Sequence, residues 1–343
     1  MKVRIKDIAK AVGVSPATVS LVLNNRPGIS EETREKILKK IEELGYNSGR
    51  TTSKAVRGLT KNIRFIVYKK HGKVVGETPF FSALIEGIEQ EARDEGFNLL
   101  ISYINEQSGD RQEIIQIIKE TPVDGILLLA TEMYSHDLLI FNNLTLPIVV
   151  LDSYLEDKNM DFVVIANAEA IYSATVYLIQ KGHREIGYLD SSVWIKNFEE
   201  RKEGYEKAIL QSGLVFKKEF ILSLEPTLDG AYKDMKEILG NGTELPTAFV
   251  AANDIIAFGA MKALKEAGIK IPDDISIIGL DDMPFCEICD PPITTLRVYK
   301  ERMGKIAVKR LIERIMNNVE ERVKIEVRTE LIERKSVKDN MLY

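Results

Sequence analysis

Four short polar side chains stand at the ends of apolar runs: Asp152 after PIVVL, Asp190 after EIGYL, Asn253 after TAFVAA and Asp281 after ISIIGL. Carboxylates accept hydrogen bonds, and an amide both accepts and donates them. In open α/β sheets ligands bind beyond the carboxyl ends of the strands, so these four are expected to face a ligand cleft. Covalent chemistry has little to draw on. The chain has no Gly-rich phosphate loop, no G-x-S-x-G elbow and no paired metal-ligand spacing. Cys286 and Cys289 form a C-x-x-C, but a zinc ion would need two more ligands, and His71, His136 and His183 are remote in sequence. A redox pair normally opens a helix after a strand, whereas Pro284 precedes this pair and Pro291-Pro292 follow it. The plain reading is two loop thiols kept reduced, with no metal and no cofactor.

A different chemistry is written into residues 5–25, IKDIAKAVGVSPATVSLVLNN. Ile5, Ile8, Ala9 and Val12 repeat at helical spacing, and Gly13 suits the left-handed residue that closes a helix. Ser15 is a natural N-cap and Pro16 fits the first helical position. Val19, Val22 and Leu23 turn one face of the second helix inward. Pro16, Ala17, Ser20, Leu21 and Asn24 are left pointing outward. Two short helices around a tight turn, the second with an outward face of small and polar groups, describe a helix-turn-helix that can enter a major groove. Two ordinary helices of a small α-domain would share the spacing, but here the apolar pattern, the Gly and the Ser-Pro start agree.

The charge distribution supports that reading. The chain of 343 residues carries a net charge of -5, unusual for a nucleic-acid binder. Residues 1–61 nevertheless hold 13 Lys and Arg against 6 Asp and Glu, and the remainder holds 34 against 46. A basic head on an acidic body fits a DNA-binding domain joined to a part that does not touch phosphates. Met1 is followed by no charged-then-apolar leader, and no long apolar run occurs, so a soluble cytoplasmic chain with no membrane partner is expected.

A third helix is expected from Ser30, an N-cap followed by Glu31 and Glu32, with Ile37, Leu38, Ile41 and Leu44 facing inward and Gly45 at its end. From Tyr46 to Asn62 the sequence turns basic, and Ser53 to Leu59 offers about two helical turns, too short to be stable alone. This is either a plain linker or a hinge helix that orders on DNA. From Ile63 onward strands and helices alternate. IRFIVY, FNLLISYI, GILLLA and PIVVLD form one series, and FVVI, EIGYLD, FILSL, TAFVAA and ISIIGL a second, with amphipathic helices between them, including PFFSALIEGIEQEARDEG and DRQEIIQIIKE. Near-continuous apolar runs of this kind imply parallel strands buried on both faces. The length suits two lobes with a cleft between them.

At this point the residues resemble a family, the lactose-repressor-like (LacI/GalR) transcription regulators, over essentially the whole chain. The head reads IKDIAKAVGVSPATVSLVLN, then SEETREKI and ELGY; the body reads TPFFSALIEGIE, VDGILLLA, KGHREIGYL, RKEGYEKAI, PTAFVAAND, IPDDISIIGLDD and PPITTLRV, in the family's order. The resemblance implies a small all-α helix-turn-helix head at residues 1–46, a linker and hinge helix at 47–62 and an α/β two-lobed body at 63–343. That body is periplasmic-binding-protein-like, with two doubly wound parallel sheets. The lobes are expected at about 63–165 with 293–322, and about 166–292 with 323–343. It further implies a homodimer on a pseudo-palindromic operator DNA, with affinity set by a small molecule. The C-terminal KSVKDNMLY carries no heptad repeat that would add a tetramerising coil.

By position, Arg4, Ile5, Lys6, Ser15, Thr18, Ser20, Asn24 and Thr33 match phosphate or groove contacts, and Pro16, Ala17 and Leu21 match base-reading positions. Many members carry Arg where this chain has Leu21. Leucine cannot bond bidentately to guanine, so the half-site is expected to differ from the common one. Ala55, Val56 and Leu59 match the hinge, whose leucine wedges into the minor groove. The linker is longer than usual here, and Asn47-Ser48 replaces the family's Pro.

In the body, Phe80, Phe81, Asp152, Arg201, Asn253 and Asp281 match positions that line the effector cleft, and Trp194, the single tryptophan, precedes Arg201. Carboxylates and amides for hydroxyls, an Arg fork and aromatic ring faces suit a sugar. Plainer roles exist for each: Asn253 as a helix cap, Asp281 as a loop anchor, Phe81 as core and Trp194 as interlobe packing. Two departures touch the cleft rim. VYKKHGKVVGETPFF is longer than the family's segment and carries Lys69 and Lys70 where an acid is usual, and the family's Asp-Asn pair reads Ala166-Asn167.

An enzyme such as a sugar kinase with a helix-turn-helix lacks a phosphate cradle here. A periplasmic sugar-binding protein fits the body but neither the basic head nor the absent leader. Control by a protein partner or a non-sugar metabolite stays open. The expectation is a ligand-responsive repressor of carbohydrate-utilisation genes.

Overall fold

A computed structural model describes residues 5–23, 28–44, 59–76, 79–106, 116, 121–142, 144–157, 159–317 and 319–340. Arg4, Asn24, Ala55, Val56, the hinge helix and most of the expected helix around DRQEIIQIIKE lie outside these residues. The chain divides into two units, Met1–Thr60 with Met316–Val319 and Lys61–Ile315 with Glu320–Tyr343, and no described helix is long and apolar enough to cross a membrane.

The head holds α1 (Ile5–Val12), α2 (Pro16–Leu23) and α3 (Glu31–Glu43). Its core is Ile8, Ala9, Val19, Val22, Ile37 and Ile41, with Ile5, Val12, Leu38 and Leu44 packed against it. Gly13 sits at φ +76° between α1 and α2, a conformation that strains any side chain with a Cβ. The backbone N–H of Thr18 donates to the Ser15 hydroxyl at 3.0 Å, the N-cap that the Ser-Pro start implies.

The body is built on two six-stranded sheets. The first, in the N-lobe, has the order β11-β5-β4-β3-β1-β2. Its strands are β1 (Asn62–Lys69), β2 (Asn98–Asn105), β3 (Gly125–Leu129), β4 (Ile148–Asp152), β5 (Asp161–Ile165) and β11 (Lys324–Val327). All of its pairings are parallel. Within β3, Leu127 and Leu129 join one core cluster and Ile126 and Leu128 the other, so the strand is buried on both faces. The second sheet, in the C-lobe, has the order β12-β10-β9-β8-β6-β7. It holds β6 (Ile186–Ser191), β7 (Ile221–Leu224), β8 (Ala248–Ala251), β9 (Ser276–Asp281), β10 (Thr294–Arg297) and β12 (Glu330–Ile332). Only the β10–β12 pairing among these is antiparallel.

Helices connect the strands: α4 (Phe80–Asp94), α5 (Asn167–Gln180), α6 (Lys196–Gln211), α7 (Leu228–Gly240), α8 (Asp254–Glu266), the short α9 (Phe285–Ile288) and α10 (Lys300–Asn317). α10 belongs with the N-lobe. Its Arg310 and Arg314 both pair with the buried Asp161 at the start of β5, and Leu311 fills the space that Gly125 of β3 leaves open.

The strand pairing corrects the lobe boundaries. Residues 294–297, expected in the N-lobe, lie in the C-lobe sheet beside β9, and 324–327, expected in the C-lobe, pair with β5 of the N-lobe. The chain thus crosses between lobes after β5, after β10 and after β11. These late strands have three or four residues each, and β11 is buried on neither face, so no apolar run marks them. One cysteine is corrected too: Cys286 lies within the short α9, while Cys289 is the extended residue that follows it.

Candidate functional site

In the head, α2 presents one outward surface. Ser15, Pro16 and Ala17 are exposed, Leu21 is exposed, and Thr18 and Ser20 are half-buried. The Ser15 and Thr18 hydroxyls lie 2.8 Å apart, and Ser30 and Thr33 repeat the arrangement at the start of α3. Lys6 is exposed on α1, whereas Ile5 is half-buried against the head core, where its side chain serves packing. Leu59 is half-buried. A surface of Pro, Ala and Leu flanked by hydroxyls can meet thymine methyl groups and phosphate oxygens, and carries no fork for guanine.

In the body, two carboxylates from opposite lobes converge. Asp152 ends β4 and Asp281 ends β9, both buried, both at positive φ (+74° and +128°). Non-glycine residues hold such backbone only where the surroundings impose it, and they cluster at ligand sites. Thr131 Oγ1 donates to Asp152 Oδ2 at 2.6 Å, while Asp152 Oδ1 is buried without a partner. Burial raises the Asp152 carboxyl above its usual range, against the pull of Thr131, Arg201 and Asn197. Asp281 is pushed up to about 7 by burial, which Arg201 opposes and the nearby Asp254 reinforces.

Arg201 of α6 is the cation whose charge acts on both. Its Nε donates to Asn167 Oδ1 and its Nη1 to the Ala252 carbonyl, each at 2.8 Å. Asn167, the retained half of the altered Ala166-Asn167 pair, is thereby a positioning group, tied also to Glu200 at 3.0 Å. Phe80 and Phe81 are buried with ring centroids 5.1 Å apart, and Lys300 Nζ lies 5.7 Å from the Phe80 centroid while donating to the Asp281 carbonyl. Trp194 stays half-open to solvent and meets Tyr134 of the other lobe at 4.9 Å between ring centroids.

Two expected residues are occupied elsewhere. Asn253 Oδ1 accepts from the Ile256 N–H at 2.9 Å, so that oxygen caps α8, the plainer role the sequence allowed. Asp190 pairs with Lys202 at 2.9 Å on the flank of α6. Sequence reasoning missed Asn197, which is buried with an unpartnered Oδ1. Its signal was present: it precedes Arg201 by one helical turn and so shares its face. Thr131, Tyr134 and Lys300 were also missed; they follow or precede short strands and carry no motif.

No described group of three or more His, Cys, Asp and Glu side chains is placed to hold a metal ion. The Cys286 thiol donates to Asp254 Oδ2 at 3.1 Å, and burial pushes it far up, which keeps it protonated and unreactive. On the outer surface of the C-lobe lies a separate groove of about 710 Å³, walled by Leu228, Ile255, Phe258, Phe285, Ile288 and Cys289.

Comparison with known proteins fits both halves. Residues 4–48 match the family model described as bacterial regulatory proteins, lacI family, and residues 175–337 match the periplasmic binding protein-like domain. Among curated proteins, the HTH-type transcriptional repressor PurR of Pasteurella multocida is 35% identical over 340 residues, which is 98% of this chain and 99% of that protein. Among solved structures, a complex of the transcriptional regulator CelR with cellobiose is 26% identical with a TM-score of 0.73, covering 98% of this chain and 100% of that one. A LacI family transcriptional regulator from Enterococcus faecium with bound ribose is also 26% identical, with a TM-score of 0.69 over 81% of this chain and 100% of that one.

Proposed function

The chain belongs to the lacI family of bacterial regulatory proteins and is a DNA-binding transcriptional repressor with an effector-binding body rather than an enzyme, and from that premise we propose that a sugar-class ligand in the interlobe cleft sets its affinity for DNA. The observation that carries the proposal is the pair of buried carboxylates, Asp152 and Asp281, that end strands of opposite lobes and both feel the charge of Arg201. Asn197 Oδ1, a buried acceptor without a partner whose side chain acts on Asp152, would be satisfied by a ligand that offers hydroxyl donors. Phe80, Phe81 and Trp194 supply ring faces for its apolar side. A ligand touching both lobes binds one interlobe geometry better than another, and that difference is the coupling energy. Two solved relatives, bound to cellobiose and ribose, support the sugar class.

One observation favours a second class. A carboxyl poised at about 7, as Asp281 is, exists partly protonated near neutral pH and can both donate and accept, which also suits the edge of a nitrogen heterocycle.

On the DNA side, Lys6, Ser15, Thr18, Ser20 and Thr33 are proposed to hold phosphates, with Pro16, Ala17 and Leu21 on base edges. Arg4, Asn24 and the hinge residues Ala55, Val56 and Leu59 complete the same proposal. A pseudo-palindromic operator calls for a two-fold dimer, and the groove beside α8 and α9 is proposed as its self-complementary face.

The test is a thermal-shift panel of monosaccharides, disaccharides, sugar phosphates and nucleobases on the purified full chain. A binder must raise the melting temperature by mass action. The proposal expects a sugar to stabilise the wild type and to leave Asp281→Asn unmoved. A hit confined to nucleobases transfers the site to the second class. A sugar hit that persists in Asp281→Asn overturns the cleft assignment.

A further inference from the structure

One segment that departs from the family is ordered by a buried charge across its described residues 67–76, VYKKHGKVVG. Residues 70–76 wrap around one buried carboxylate, Glu132. Its Oε2 accepts from the backbone N–H groups of Lys70, His71 and Gly72 at 2.8–3.0 Å, and its Oε1 from those of Val74 and Val75 at 3.0 Å. The His71 ring stands 3.2 Å from the same carboxylate. Burial alone would raise the Glu132 carboxyl, but His71 and these amides outweigh it and hold the group at about 2. Gly72 makes the turn at φ +72°, and Val74 and Val75 are buried in the N-lobe core. The root of the segment is fixed as well: Lys70 Nζ pairs with Asp137 at 2.9 Å and with Glu106, and lies 4.4 Å from the Tyr134 ring centroid.

This rigid turn carries one side chain across the cleft. Lys73 Nζ meets Glu225 of the C-lobe at 2.9 Å. Glu225 is itself held, its N–H donating to Asp234 at 2.7 Å and its Oε1 accepting from Thr227 at 3.1 Å. The pair lowers the Glu225 carboxyl, with Lys73 the largest cause. Its location gives it leverage. The chain crosses between lobes after β5, β10 and β11, which lie toward the β11 and β12 edges of the sheets. Lys73 follows β1, next to the opposite edge of its sheet, and Glu225 follows β7, the opposite edge strand of the other. Rotation of the lobes about the crossovers therefore separates Lys73 from Glu225 more than it separates groups nearer the crossovers.

We infer that residues 70–76 form a strap whose Lys73 latches the N-lobe to Glu225 across the mouth of the cleft, so that the chain's own charges bias the lobes toward closure before any ligand contributes. The inference rests on the reading of the cleft as the effector site, and it names a regulatory element of that site: the strap sets the closed fraction on which the ligand then acts.

The test needs no ligand. Trp194, the single tryptophan, bridges the lobes through Tyr134 and is half-open to solvent, so its quenching by acrylamide reports opening. In the ligand-free full chain, Lys73→Glu is expected to shift the open-to-closed ratio about twofold to fivefold, the range an exposed ion pair supports, and to raise Trp194 quenching with it. The swap Lys73→Glu with Glu225→Lys is expected to return quenching to the wild-type value. Wild type at about 1 M salt, where screening reaches within about 3 Å, is expected to move toward the single variant. Unchanged quenching in a folded Lys73→Glu, or failure of the swap to restore it, overturns the latch. A silent thermal-shift panel would count against the effector reading and leave this result standing, so the two failures are distinguishable.

Discussion

Asp281 shows how burial of a single carboxyl is recorded in the energetics of folding. Its carboxyl is buried at the end of β9 at φ +128° and is pushed up to about 7 from its ordinary 3.8, chiefly by burial. The raised value costs stability. Between those two pH values the unfolded chain has lost this proton while the folded chain keeps it, so the contribution of Asp281 to stability falls as pH rises through that window. A single group contributes a slope of at most about 1.4 kcal/mol per pH unit there. Asp281→Asn is therefore expected to flatten the stability profile between pH 4 and 7 and to be more stable than wild type at pH 8, as urea melts across pH would show. Parallel profiles for the two proteins would mean that Asp281 bears no such burden. The strand-end placement of Asp152 and Asp281 was legible because each ends a long apolar run, which is what a strand terminus looks like. Sequence reading did not reach Asn197, Thr131 or Lys300, because their role depends on which helix face and which loop the fold brings to the cleft. It left Asn253 with two roles for a related reason: a residue at a strand end is also the residue before a helix, and here the cap claims its oxygen.

At the scale of elements, the legible parts were those with strong period or strong punctuation. The Gly13 turn and the Ser15 cap lie where the sequence puts them, and the interior strands β3, β4 and β5 are buried at every position. The crossover strands β10, β11 and β12 were not legible. They are short, they are stabilised by neighbours far along the chain, β11 alternates between exposed and half-buried positions, and β12 is fully buried nowhere. α9 carries the element-scale prediction. Ile288 is 78% exposed and Phe285 51% exposed on the rim of the apolar groove, a cost in water that a second copy of the chain would remove. Ile288→Asp is expected to leave folding stability within about 0.5 kcal/mol of wild type, because the side chain is exposed in one copy. It is expected to elute as a monomer by size exclusion with light scattering where the wild type elutes as a dimer. A dimer that survives the substitution places the interface elsewhere.

At the scale of the molecule, a basic head and an acidic body divide the work: one part binds DNA, the other a small-molecule effector. The two lobes are connected by three crossovers on one side of their sheets, while Lys73–Glu225 and Tyr134–Trp194 span the cleft away from them. On the proposed function such a body has two arrangements to choose between, and a ligand that contacts Asp152 from one lobe and Asp281 from the other would change the choice by its difference in affinity. The direct measurement is fluorescence anisotropy of the full chain on an operator duplex selected from a random pool by the protein itself, titrated with the stabilising compound from the thermal-shift panel. The account predicts that the compound changes operator affinity in the wild type by about fivefold or more, within the usual range of allosteric coupling, and leaves Asp281→Asn unchanged. Equal operator affinity with and without the compound, or a full response in Asp281→Asn, would contradict it.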